Sequence, residues 1–360
     1  MDLTVDPLVE QLRRVISAGL TPVTDDDPER LWPVLVDYEV PAFEAPPSAG
    51  GYGLGLTSGV VVSSELGRRA LPDLYTGTAL VVDAMSSSGD RTGMAASLVG
   101  GKGPVVLAGM DALPGSGRRD RPTGKPVAGG IELAGEVLVD GSAPAFAGCC
   151  FPVATTDSVL LVLLTPEAFS PVIADGPPGL SRVRLDGMVV SDDEIAGSLG
   201  TGDPLSDPDG ILSRARLRQA AYLLGLAAGA QSLAAAHAST RRQFGRPVVE
   251  FQTVGFTLAR SAIALRAVYL AIERAAWLAD DGALDPLAAV EALAFSAETG
   301  MTVIRAATQI HGAVGLTRLS AMHRYYLAAR RHTTGWASPS RLWCEAGARR
   351  LASGRSATTH

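Results

Sequence analysis

Two short segments of the chain bring together residue types suited to holding a phosphorylated ligand. The first reads Arg241-Arg242-Gln243-Phe244-Gly245-Arg246-Pro247-Val248-Val249-Glu250-Phe251-Gln252. An arginine fixed where a helix ends offers a planar fork of donors to a phosphate or pyrophosphate. Phe244 adds an apolar face, and Gly245 lets the chain turn without a Cβ. The second segment is Gln309-Ile310-His311-Gly312-Ala313-Val314-Gly315. Taken singly, these residues have plainer readings. Arg241 and Arg242 would be a solvated helix end, Gln309 a cap or a hydrogen-bonded amide, and His311 a structural imidazole.

Composition narrows the classes of function. The 360 residues carry 47% hydrophobic side chains and a formal net charge of −6. That length can bury a large core. The acidic balance argues against nucleic acid as the main partner and leaves room for a local basic patch. Only Cys149, Cys150 and Cys344 are present. Adjacent cysteines rarely bridge each other and no metal-type spacing occurs, so a reduced, cytoplasmic setting without a metal is expected. The acidic start, Met1 to Asp6, is not followed by an apolar run of the signal-peptide kind. The most apolar stretch, Ala220 to Ala236, contains Gln231 and many small residues; it reads as a buried helix, and no membrane span is expected. Gly50-Gly51-Tyr52-Gly53-Leu54-Gly55 follows no strand and precedes no Lys-Ser or Lys-Thr, which leaves it a loop.

The elements that must position these segments fall into three regions. Residues 1–97 read as helical: Leu8, Leu12, Val15 and Ile16 recur at helical spacing, a short helix begins at Leu31-Trp32 after Asp25-Asp26-Asp27, and another covers Val60 to Leu66. Residues 98–207 carry short apolar runs at Val105–Leu107, Glu132–Ala134, Glu136–Val139 and Ser158–Leu164. Turn residues separate them, which predicts a small antiparallel, barrel-like β-domain. Residues 208–360 are helical again, with long apolar faces over Leu212–Phe244, Phe251–Asp280, Asp285–Val314 and Ser320–His332, an up-down bundle with a polar tail from Ser353. Asp285-Pro286 is a helix start with proline at its first position.

With the order helices, β-domain and four-helix bundle in hand, Arg241 to Gln252 resembles the R-x-x-F-G-[KR]-P-[IV]-x-x-[FH]-Q signature of acyl-CoA dehydrogenases. Gln309 to Gly315 resembles that family's Q-[IL]-x-G-G-x-G. Leu31-Trp32, Gly50 to Leu54 and Glu65-Leu66-Gly67-Arg68 resemble its N-terminal helical pattern. The resemblance covers nearly the whole chain in the right order. It implies a mostly α fold with a central β-barrel, α,β-desaturation of an acyl-CoA thioester, and FAD as cofactor. It also implies that Arg241, Phe244, Gln309, Gly312 and Ala313 hold the ADP part of a FAD bound mainly by a neighbouring subunit; Ala313 stands where glycine is usual. The combined spacing overrides the plainer readings for Arg241, Phe244 and Gln309, though not for His311.

Two parts of the family pattern are missing. The T-E-P loop that meets flavin and acyl-CoA is replaced by Leu107-Ala108-Gly109-Met110-Asp111-Ala112-Leu113-Pro114, and no W-[IV]-[TS]-N flavin contact is recognisable near Ala147-Gly148-Cys149-Cys150-Phe151. The reaction needs a carboxylate at the substrate α-carbon. Counting from Gln309 puts Trp336 at the usual base position, and counting back from Arg241 puts Ala215 at the alternative one. Glu345, nine positions beyond Trp336, is the remaining candidate and reads as a surface-helix carboxylate. A chain that keeps the ADP-holding groups and loses its own base resembles one subunit of the actinobacterial heteromeric enzymes linked to steroid side-chain degradation; His323 to Arg331 matches a stretch of those too. A homologous catalytic subunit is then expected as partner in a heterotetramer, with an electron-transfer flavoprotein as acceptor. The alternatives are a self-sufficient acyl-CoA or acyl-carrier-protein dehydrogenase using Glu345, as a homo-oligomer, and a non-redox scaffold or diverted tailoring protein on the same fold.

Overall fold

The computed structural model describes residues 7–23, 28–90, 92–113, 121–140, 146–169, 173–175, 180–200, 207 and 209–357. Five helices come first: α1 (Pro7–Gly19), α2 (Leu31–Asp37), α3 (Leu56–Arg68), α4 (Tyr75–Ser88) and α5 (Met94–Val99). The strands follow as β1 (Val105–Leu107), β2 (Thr123–Val127), β3 (Gly130–Ala134), β4 (Glu136–Asp140), β5 (Gly148–Ala154) and β6 (Val159–Leu164). After the one-turn α6 (Pro166–Phe169) come β7 (Ile173–Asp175), β8 (Leu180–Arg184), β9 (Val189–Val190) and β10 (Ile195–Ser198). The last part holds α7 (Ile211–Thr240), the ribbon β11 (Arg242–Gln243) and β12 (Arg246–Pro247), α8 (Gln252–Asp280), α9 (Pro286–His311), α10 (Met322–Thr334) and α11 (Pro339–Ala357).

The axis of the molecule is α7, buried along most of its 30 residues. It packs on α3, α4, α8, α9 and α10. Small residues make this possible. A Cβ on Gly67 of α3 would run into the Tyr222 carbonyl of α7, and one on Gly225 of α7 would run into the Ser64 carbonyl of α3. The two helices therefore cross backbone to backbone, which explains the scarcity of large side chains between them. Asp280 at the end of α8 accepts from the Leu56 and Thr57 amides and tethers the start of α3. Asp285 caps α9 through the Leu287 amide, with Pro286 behind it as expected.

The β-region departs from expectation in two ways. Among the described residues it is not a closed barrel but two sheets, one ordered β10-β6-β5-β2-β3-β9 with β1 also on β5, the other ordered β4-β8-β7. Nor is it purely antiparallel, because β1 and β2 both run parallel to β5. The reason lies in β5 and β6, which are covered on both faces. Cys149, Phe151, Val153, Val162 and Leu164 enter the β-region's own core, whereas Cys150, Leu161 and Leu163 enter the core that continues into the helices. A strand buried on both faces reads as a continuous apolar run. Helix α11 is a further difference: it follows the four expected helices and extends through the segment expected to be a polar tail, while residues 358–360, like Met1 to Asp6 and Asp25 to Asp27, lie outside the described residues.

Candidate functional site

Arg241 sits immediately after α7, its amide bonded to the His237 carbonyl at 2.8 Å. The chain then doubles back in a two-residue hairpin in which Arg242 pairs with Pro247 and Gln243 with Arg246. Phe244 and Gly245 form its tip, with φ of 48° and 80°. This is the arrangement of tight hairpins with two left-handed central residues. Glycine accepts that conformation freely, whereas for a phenylalanine it costs about 1–2 kcal/mol. Phe244 is also 93% exposed. Its one recorded ring contact is an edge approach to Phe251, whose own face is covered by Arg246 at 4.3 Å. A strained, exposed aromatic gains almost nothing from its own chain.

The second segment lies beside the first. Helix α9 ends at His311, and Gly312 breaks it with φ of 65°. The His311 ring stacks on that of His237, with centroids 4.6 Å apart and planes 21° from parallel. The ends of α7 and α9 are thus joined, and the two segments form one surface. Arg241, Gln309, Gly312 and Ala313 are all exposed on it. These residues fit an adenosine diphosphate group: arginine for the phosphates, an apolar ring, an amide, and glycine-permitted backbone access. His237 was not singled out from the sequence; its place one turn before Arg241 was the available signal.

The residues at the two expected base positions are core residues. Ala215 is fully buried near the start of α7, and Trp336 lies buried between α10 and α11 in the same core. Glu345 is not the surface carboxylate its sequence suggests. Its side chain is 13% exposed and paired at 3.0 Å with Arg216, itself buried beside Ala215. Burial holds the Arg216 guanidinium below its ordinary value, with Glu345 acting against that effect.

A second group of charges, also unforeseen, fills the space between α4, α7 and the segment before α3. Arg218 donates to Glu44 and to Asp83, each at 2.6 Å, and the Tyr75 hydroxyl donates to Glu44 at 2.6 Å. Arg214 approaches Asp83 at 3.5 Å. Burial alone would depress the Arg218 guanidinium, but Asp83 and Glu44 outweigh it and hold it above its ordinary value. Burial, then Glu44, raises the Tyr75 phenol. The network leaves no unpaired carboxylate to act as a base here. Nor do the adjacent cysteines offer chemistry: burial pushes the Cys150 thiol up to about 12 and raises that of Cys149, so both stay protonated near neutral pH.

A cleft of about 320 Å³ opens between the end of α4 and strands β6 and β10. Asp90, Asp192 and Asp193 stand on its wall. Carboxylates there repel the phosphates of either FAD or coenzyme A.

Comparison with known proteins now gives the family. Residues 209–336 match the model of the acyl-CoA dehydrogenase C-terminal domain. The acyl-CoA dehydrogenase FadE27 of Mycobacterium tuberculosis is 30% identical over 319 residues, 83% of this chain and 82% of that protein. The chain belongs to the acyl-CoA dehydrogenase family. A chain of the ChsE4-ChsE5 complex from Mycobacterium tuberculosis superposes with a TM-score of 0.81 at 25% identity, covering 98% of this chain and 99% of that one. A variant of the Tcur3481-Tcur3483 steroid ACAD matches with a TM-score of 0.80 at 26% identity, over 97% of this chain and 99% of the other. The chain therefore has the acyl-CoA dehydrogenase fold and belongs with oxidoreductases that act on CH–CH groups with FAD as cofactor. Family membership also explains α8 and α9, which are long and apolar enough to cross a membrane by composition alone. In this fold they are bundle helices.

Proposed function

We propose that this chain is the non-catalytic subunit of a heteromeric acyl-CoA dehydrogenase, completing the FAD site of a homologous partner that carries the base. The observation that carries this reading is Phe244, held at a strained hairpin tip with 93% of its surface exposed, next to exposed Arg241. Such a residue is stabilised only when another molecule covers it. Arg241, with Gln309, Gly312 and Ala313, holds the ADP end of the partner's FAD. The chain's own base positions, Ala215 and Trp336, support a non-catalytic role because both are apolar and buried. Glu345 is engaged by Arg216 and is not a free base.

The partner lies along α8 as well. Phe256, Ile263 and Trp277 are exposed on that helix at spacings that are multiples of seven, with Leu270 between them. A seven-residue apolar stripe is the seam by which helices of separate chains pack. The substrate of the assembled enzyme is a steroid side-chain CoA thioester, in line with the steroid ACAD among the structural relatives. An electron-transfer flavoprotein reoxidises the flavin, the enzyme works in the cytoplasm, and the chain divides at residues 97 and 207.

The test is substitution at the surface in the co-purified complex. Arg241→Ala and Phe244→Ala are each expected to lower FAD retention by about tenfold or more while leaving the chains associated and folded, the scale of losing one charge-assisted contact in the first case and one buried apolar ring in the second. Unchanged flavin content in both variants contradicts the reading.

A further inference from the structure

We infer that His237 and His311 form a second, proton-dependent part of the diphosphate-binding surface that Arg241 begins. This rests on the reading above that the surface meets the ADP end of FAD. Three features carry it. The two imidazoles stack face to face at the joined ends of α7 and α9, one turn from Arg241. Both are half-exposed, so a ligand can reach them. The ring nitrogens of His237 make no hydrogen bond among the described residues, while His311 Nδ1 lies 2.9 Å from the Ala307 carbonyl. That contact places the His311 proton on Nδ1 and leaves Nε2 as an acceptor in the neutral ring, which becomes a donor on protonation.

The electrostatics fit a site awaiting an anion. Burial, then His311 and then Arg241, hold His237 below the ordinary imidazole range. The charged groups that face it are His311 from α9 and Arg241 from the start of the hairpin; no carboxylate acts on it from the turn at Val248–Glu250 or from α8. A carboxylate partner is what a structural imidazolium would ordinarily have. With a diphosphate beside Arg241, its negative charge acts against burial and against the repulsion from His311 and Arg241, and binding takes up a proton. The sign follows: the ligand favours the protonated ring, so affinity strengthens as pH falls towards the range where free His237 is charged.

The measurement is FAD titration of the deflavinated complex by flavin fluorescence across the neutral range. Wild type is expected to bind about two- to fivefold more tightly near pH 6 than near pH 8, part of the tenfold limit that about one pKa unit of coupling to a single proton sets. His237→Gln is expected to flatten that slope. An unaltered slope in His237→Gln overturns the inference. Calorimetry of wild type in two buffers of different ionisation enthalpy gives a second readout that needs no variant: absence of proton uptake on FAD binding also overturns it. Coenzyme A, run in parallel, separates the two adenosine-diphosphate ligands; the same proton-linked binding of coenzyme A in preference to FAD overturns the assignment to flavin. If Arg241→Ala and Phe244→Ala both leave FAD binding unchanged, the functional reading itself fails; if they weaken FAD and the histidines do nothing, only this inference falls.

Discussion

Phe244 illustrates how a single residue can declare a function. A phenylalanine in the left-handed region, uncovered by its own chain, is what the proposed contact with a partner's cofactor would account for. Arg241, Phe244 and Gln309 could be named as candidates from the sequence because their types recur at fixed spacing within short segments. Glu44, Asp83 and His237 could not. Glu44 meets Arg218 across 174 residues of sequence, and His237 meets His311 only when two helix ends come together. The thiols provide a test at this scale. Cys149 and Cys150 are buried with raised pKa values, whereas Cys344 is exposed. A thiol-specific reagent at neutral pH is expected to label one cysteine rapidly in the native chain and the other two only on unfolding; rapid labelling of Cys149 or Cys150 would mean that β5 is not buried as described.

Among the elements, long helices with strong apolar faces could be read from the sequence to within a few residues. The start of α9 at Asp285-Pro286 is one example, since its cap is local chemistry. Strand β5 was harder. It contains Pro152 and two cysteines, and its burial on both faces removes the alternation that marks a strand. Helix α11 is rich in arginine and serine and docks on α9 through polar contacts such as Trp343 to Glu298 and Arg350 to Glu291, so no apolar stripe announced it. The α4–α7 junction has a consequence that can be measured. Removing one partner from a buried ion network strands the others, at a cost of about 3–5 kcal/mol. Arg218→Met and Glu44→Gln are each expected to lower the chemical-denaturation midpoint accordingly, and substitution of the exposed Arg242 is expected to leave it unchanged. A near-neutral Arg218→Met would remove the network from the account of stability.

At the scale of the whole molecule, the fold is that of an acyl-CoA dehydrogenase, and its sequence order of helices, strands and helices already pointed there. The division of the β-region into two sheets was not legible, since pairing between distant strands depends on contacts that no local pattern encodes. The apolar stripe of α8 belongs to this scale too. Ile263→Asp and Trp277→Asp are expected to weaken association with the partner by about tenfold or more each, with little change in the stability of the chain alone, because each buries a charge only at the seam. Size-exclusion chromatography reads the result; an intact complex in the double variant would place the partner elsewhere.

The central claim is that this chain helps to hold a FAD that another chain uses. The most direct measurement is the absorbance spectrum together with the native mass of the chain, purified alone and after co-expression with a homologous subunit bearing the T-E-P loop and a catalytic glutamate. The chain alone is expected to be colourless, and the co-purified complex yellow, with one FAD for each catalytic subunit and none added by this chain. A yellow, fully flavinated homo-oligomer that desaturates an acyl-CoA by itself would contradict the account.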